Sequence, residues 1–288
     1  MTRQPELIAD TACACGEGPL WHPLERRLYW VDISPGRLFR YDPATGEHEQ
    51  CFEAGEAIGG FTIQENGDLL LFMARGAVRT WRDGFRETII AEIPAECNSR
   101  FNDVIADPQG RVFCGTMSGP DKAGTLYRLD PDGSLHVVLE GLGCPNGMGF
   151  TGDRRLMYFT DSVPHTIWLF DYEEGTGELS HQRRFAELTP EEGFPDGMTV
   201  DAEDHVWSAR WDGSCLARYN PAGQVVQRLE FPTPKVSSVI FGGDDYRDLY
   251  VTTAGGNEQA GDGAAAGALF RVAAGGQGRP EFPSRLGG

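Results

Sequence analysis

Two near copies of one short stretch carry the most chemistry in this chain: Phe194-Pro195-Asp196-Gly197-Met198 and, fifty residues earlier, Cys144-Pro145-Asn146-Gly147-Met148. One holds an acid and the other an amide at the same place. Each Pro-x-Gly-Met core runs into alternating apolar residues, Met198 and Val200 or Met148 and Phe150, so the polar side chain stands where a β-strand begins. Further stretches fall into the same column. Glu17-Gly18 precedes Pro19-Leu20-Trp21, Gly59-Gly60 precedes Phe61-Thr62-Ile63, Asn102-Asp103 precedes Val104-Ile105, and Ser237-Ser238 precedes Val239-Ile240-Phe241. After each comes a turn and a second apolar strand, as in Leu28-Tyr29-Trp30-Val31 and Leu156-Met157-Tyr158-Phe159.

The column has six members spaced by roughly 42 to 50 residues, the period of a four-stranded propeller blade. The expected fold class is therefore all-β: a six-bladed β-propeller around a central channel, with residues 1–288 as one domain and almost no helix. Glu6 to Asp10 read as a lone strand that pairs with the C-terminal blade and closes the ring, which removes exposed edges. A radial array points the starts of the innermost strands at one end of the channel. Glu17, Gly59, Asn102, Asn146, Asp196 and Ser238 then converge there. Burying gathered carboxylates costs several kcal/mol each unless a cation neutralises them. One divalent metal ion resolves the conflict. The converging donors are all oxygens, which favours a hard ion such as Ca²⁺, Mg²⁺ or Mn²⁺ and leaves Fe²⁺ and Zn²⁺ open.

Other residues take their meaning from this frame. Arg100 is the cation read beside the convergent positions, suited to hold a substrate hydroxyl or carboxylate or to pair with an acid. Strict alternation turns Asp103 to the opposite face from Asn102 and gives it a structural role. Gly59-Gly60 leaves room in the channel. A second column, Asp32, Asp161 and Asp212, ends the second strand of units one, four and five, either as an outer shell of the mouth or as turn caps. Asp42-Pro43, Asp130-Pro131 and Asn220-Pro221 are turn formers. The Gly- and Ala-rich stretch Ala254 to Gly267 reads as a mobile loop over one face.

Composition excludes several classes. With 25 Lys and Arg against 43 Asp and Glu, a net charge of −18 argues against nucleic acid and against anionic membrane surfaces. The longest apolar run, Leu69 to Ala74, is too short to span a bilayer, and no signal-peptide core is visible, so a cytoplasmic monomer is expected. Seven scattered cysteines suggest reduced thiols. Serine-hydrolase elbows, Walker loops, His-Glu-x-x-His and Gly-x-Gly-x-x-Gly motifs are all missing from the sequence.

Read in order, Gly16-Glu17-Gly18-Pro19-Leu20-Trp21, Arg100-Phe101-Asn102-Asp103 with Gly115-Thr116-Met117, Asn146-Gly147, Phe159-Thr160-Asp161-Ser162, Pro195-Asp196-Gly197-Met198 and Phe241-Gly242-Gly243 resemble the senescence-marker-protein-30/gluconolactonase/luciferin-regenerating-enzyme family across nearly the whole chain. The resemblance implies one catalytic divalent metal bound by Glu17, Asn146 and Asp196, and metal-dependent hydrolysis of a sugar lactone, such as gluconolactone or xylonolactone, to the aldonic acid. It also implies that Arg100 and Asn102 contact the sugar and that Asp196 is the base. Animal members carry a sugar-contacting glutamate three residues after the Gly-Thr-Met run, where this chain has Pro120. Two other readings stay open: a phosphotriesterase-like hydrolase using the same metal, and a non-enzymatic propeller that binds proteins.

Overall fold

Each repeat unit folds into four antiparallel strands whose burial falls from the channel outward. In the first blade, Gly16–His22 and Arg27–Asp32 are largely buried, Arg37–Asp42 is partly so, and Glu47–Glu53 presents mostly exposed side chains. The gradient explains the sequence: a strand between two sheets tolerates the continuous apolar run Leu69–Met73, whereas an outer strand needs polar residues on its solvent face. The computed structural model describes residues 4–119, 121–255, 262–263, 265–273 and 275–287, and places its strands in six four-stranded sheets.

The innermost strands are Gly16–His22, Ile58–Ile63, Phe101–Ala106, Pro145–Phe150, Phe194–Val200 and Val236–Gly242. Each packs against the next, and the sixth returns to the first, so the blades form the expected six-bladed propeller. Between blades the gaps are filled by large apolar groups, such as Trp207, Phe241, Val251 and Phe270 between the fifth and sixth. Glu6–Ala9 pairs with Leu269–Ala273, so the last blade is built from both ends of the chain, as the edge argument predicts. Only two single-turn 3₁₀ segments, Pro94–Glu96 and Pro190–Glu192, interrupt the β-structure among the described residues. No described helix is long and apolar enough to cross a membrane.

Turn chemistry follows the sequence with one variation. Asp42 and Asn220 accept hydrogen bonds from Ala44 N and Ala222 N, and the Gly46 backbone that follows Asp42 is left-handed at φ +77. Asp130 supplies only its backbone to its turn, because its carboxylate is taken by Arg128 at 2.7 and 3.0 Å. Half of the Ala254–Gly267 stretch, residues 256–261 and 264, lies outside the described residues.

A C-terminal segment that the repeat does not contain crosses the far end of the channel. Gly278 N donates to Tyr246 O, Ser284 N to Ile63 O and Arg285 N to Gly110 O, while Gln64 exchanges bonds with both backbone groups of Leu286. Its Phe282, together with Leu20, Phe61, Val104, Met148 and Met198, lines a partly open cavity of about 300 Å³.

Candidate active site and metal centre

Every innermost strand slips register by a β-bulge near its start: between Glu17 and Leu20, Ile58 and Gly60, Phe101 and Val104, Pro145 and Met148, Pro195 and Met198, and Val236 and Ser238. A bulge re-aims side chains that strict alternation would send elsewhere. It corrects the reading of Asp103, which lines the channel cavity and interacts electrostatically with both Glu17 and Asp196 instead of facing away.

The convergent column is buried: Glu17, Asn102, Asn146, Asp196 and Ser238 are each less than a tenth exposed. Glu17 Oε2 accepts a hydrogen bond from Gly18 N at 3.0 Å, and Gly18 adopts the left-handed conformation (φ +52) that allows this return. Asp196 Oδ1 is buried without any partner. Burial, and then repulsion from neighbouring carboxylates, pushes Asp196 well above the ordinary carboxylate range, and Glu17 moves the same way for the same reasons. Asp103 is raised to about 6 by burial. Three mutually repelling acids and an orphaned carboxylate oxygen, next to the Asn146 amide, form a donor set that a divalent cation would satisfy.

Arg100 Nη1 donates to Phe101 O and to Asn102 Oδ1, both at 2.8 Å, and makes no ion pair with a carboxylate among the described residues. Asn102 Nδ2 donates to Pro145 O at 2.8 Å. The remaining guanidinium nitrogens of Arg100 are therefore the free donors of this pair. Cys144, beside Asn102, lies with its sulfur 3.6 Å from Met117 Sδ, and burial pushes its thiol up to about 12. Pro120 lies outside the described residues.

The second acidic column is two different things. Asp32 accepts from Cys15 N and Asp161 from Gly143 N and Cys144 N, so each clasps the backbone leading into a column residue. In the fifth blade the register pairs Pro195 with Arg210, where the equivalent pairs are Gly16 with Asp32 and Pro145 with Asp161. Buried Arg210, not Asp212, occupies the matching place. Asp212 sits beyond it in a left-handed turn.

Sequence reading also passed over a second cation, Lys235, immediately before the sixth inner strand. Its ammonium lies 5.6 Å from the Trp211 ring centroid and 3.3 Å from Asp262. Another missed feature is the stacked pair His165 and Phe194, with ring centroids 4.3 Å apart and Phe194 37% exposed two residues before Asp196. A separate group, Asp201, Glu203 and His205, could gather a metal by proximity, but Arg218 already lies against Asp201 and 3.1 Å from Glu203.

A model described as the SMP-30/Gluconolactonase/LRE-like region matches residues 15–255. The chain belongs to this family. Among relatives of this SMP-30/gluconolactonase/LRE-like protein, pentonolactonase XacC of Haloferax volcanii is 52% identical, with 97% of this chain and 98% of the relative covered. Regucalcin of Gallus gallus is 32% identical over 86% of each chain. The solved structure of a calcium-binding regucalcin from Agrobacterium tumefaciens superposes with a TM-score of 0.89 at 25% identity, covering 99% and 98% of the two chains.

Proposed function

We propose that this family member hydrolyses a sugar lactone to its aldonic acid, using one divalent metal held by Glu17, Asn146 and Asp196. The observation that carries the reading is the buried Asp196 Oδ1, without a hydrogen-bond partner among the described residues and repelled by a second buried carboxylate. Similarity to a pentonolactonase over nearly the full length of both chains supports lactone chemistry and favours five-carbon lactones first. The all-oxygen donor set favours a hard ion, with Ca²⁺ placed ahead of Mg²⁺ and Mn²⁺.

When bound, such a cation supplies positive charge that keeps the acids ionised, polarises a lactone carbonyl and acidifies water. The protein's own groups do the rest. Asp196, as carboxylate, takes a proton from the water whose oxygen attacks the carbonyl carbon. The ring C–O bond then breaks, and the same proton passes to the departing ring oxygen, leaving a hydroxy acid. Arg100 holds sugar hydroxyls with its free nitrogens while Asn102 fixes the guanidinium plane.

The test is an initial-rate panel followed by proton release, with spontaneous ring opening subtracted. Xylono-, arabinono-, galactono- and gluconolactone are compared with an aryl phosphotriester. Turnover of at least one lactone well above the phosphotriester rate is expected. Faster phosphotriester cleavage, or no hydrolysis of either, would sink the reading.

A further inference from the structure

The three proposed metal ligands share a feature outside their own side chains. The carbonyl oxygen just before each one is held by a side-chain donor from the preceding blade. Ser237 Oγ reaches Gly16 O at 2.5 Å, Asn102 Nδ2 reaches Pro145 O at 2.8 Å, and Ser162 Oγ reaches Pro195 O at 2.6 Å. All three donors are buried. The contacts pin the peptide planes that lead into Glu17, Asn146 and Asp196, at the places where a bulge takes the inner strand out of regular pairing. Fixing a peptide plane fixes the direction of the next Cα–Cβ bond.

Ser162 does more than the other two. Its oxygen also accepts a hydrogen bond from Asn146 Nδ2 at 3.1 Å. One hydroxyl thus joins the side chain of one ligand to the backbone leading into another. The Asn146 amide nitrogen is thereby held at Ser162, and the same amide also stabilises the Asp196 carboxylate by hydrogen bonding. Ser162 N donates to Cys144 O, so the whole approach to Asn146 is fastened to the end of the neighbouring strand.

We propose that Ser237, Asn102 and Ser162 are positioning residues that form a ring of clamps between blades and preset the metal ligands, with Ser162 the central member. The proposal rests on the metal reading given above, and follows the general behaviour of partners that orient ligating groups. A ring of this kind would let the ligand directions be set before any cation arrives.

The experiment titrates chelated protein with Ca²⁺ and with Mn²⁺ by calorimetry, alongside thermal unfolding of the chelated form. Variants are Ser162→Ala, Ser237→Ala, the conservative Ser162→Thr, and Thr160→Val, whose buried hydroxyl has no partner. Ser162→Ala is expected to weaken metal affinity about tenfold or more, with Ser237→Ala in the same direction. Ser162→Thr should recover most of the loss, and Thr160→Val should match wild type. Wild-type affinity in Ser162→Ala overturns the proposal, and so does a lower melting temperature with affinity unchanged. If Ser162→Ala does not fold, Ser237→Ala and Ser162→Cys decide by the same criterion. Absence of metal uptake by wild-type protein would overturn the metal reading as well, which separates the two failures.

Discussion

The two ends of the central channel are made by the same six strands, yet they are opposite in character. At the strand starts the bulges turn Glu17, Asn102, Asn146 and Asp196 inward, and buried acids oppose one another there. A few residues on, regular pairing resumes and Leu20, Val104, Met148 and Met198 face a largely apolar cavity bordered by the C-terminal segment, with Asp103 and Glu281 as its buried acids. One end gathers the acids of the column, and the other is built mainly from apolar side chains. The difference teaches that a propeller can divide function and stability along one strand, within three or four residues.

The largest effect expected from this division is at the mouth. Asp196→Asn keeps the shape but removes the proposed base, so turnover should fall by about 10² to 10⁴ while the melting temperature holds or rises, because a buried charge is lost. Initial rates and a thermal scan on the same sample check both halves. Retention of turnover would remove Asp196 from the chemistry.

The reverse separation is expected at the far end. Leu286 is buried in the cluster that joins Leu70, Phe101 and Val112. Leu286→Ala should destabilise the fold by about 2 to 5 kcal/mol in denaturant titration, with kcat/KM unchanged. A matching loss of kcat/KM in fully folded protein would mean that the two ends are coupled.

A smaller, pH-dependent effect distinguishes the acid at that end. Burial raises Glu281 to about 7, and Asp103 facing the same cavity is raised to about 6. The folded state therefore binds more protons than the unfolded state between the ordinary carboxylate range and those values. Its stability should fall as pH rises through that window. Melting temperatures from pH 5 to 8 should decline for wild type and decline less for Glu281→Gln. Parallel profiles would show that Glu281 is better solvated than its position implies.

What the sequence made legible was whatever recurs. Spacing aligned Glu17, Asn146 and Asp196 and counted the blades, and the need to cover a sheet edge sent the strand expected over Glu6 to Asp10 to the last sheet, where Glu6–Ala9 pairs. Asp103 was misdirected because a bulge leaves no mark in an apolar pattern. Asp212 was matched two positions past Arg210 because loop residues look alike without their partner strand. The clamps of Ser162 and Ser237 depend on contacts between blades, which no single repeat displays. The C-terminal segment has no second copy in the chain, so comparison of units could not reveal that it crosses the far end of the channel.

Lactone hydrolysis by this chain is proposed to need one cation at Glu17, Asn146 and Asp196. That need is tested most directly by stripping the protein with chelator, adding back one divalent metal in measured equivalents, and following xylonolactone opening by proton release at each step. A rate at the spontaneous background is expected in stripped protein, rising linearly and breaking at one equivalent for at least one metal, with no rise in Asp196→Ala. Full turnover by stripped protein, or recovery in Asp196→Ala equal to wild type, would contradict it.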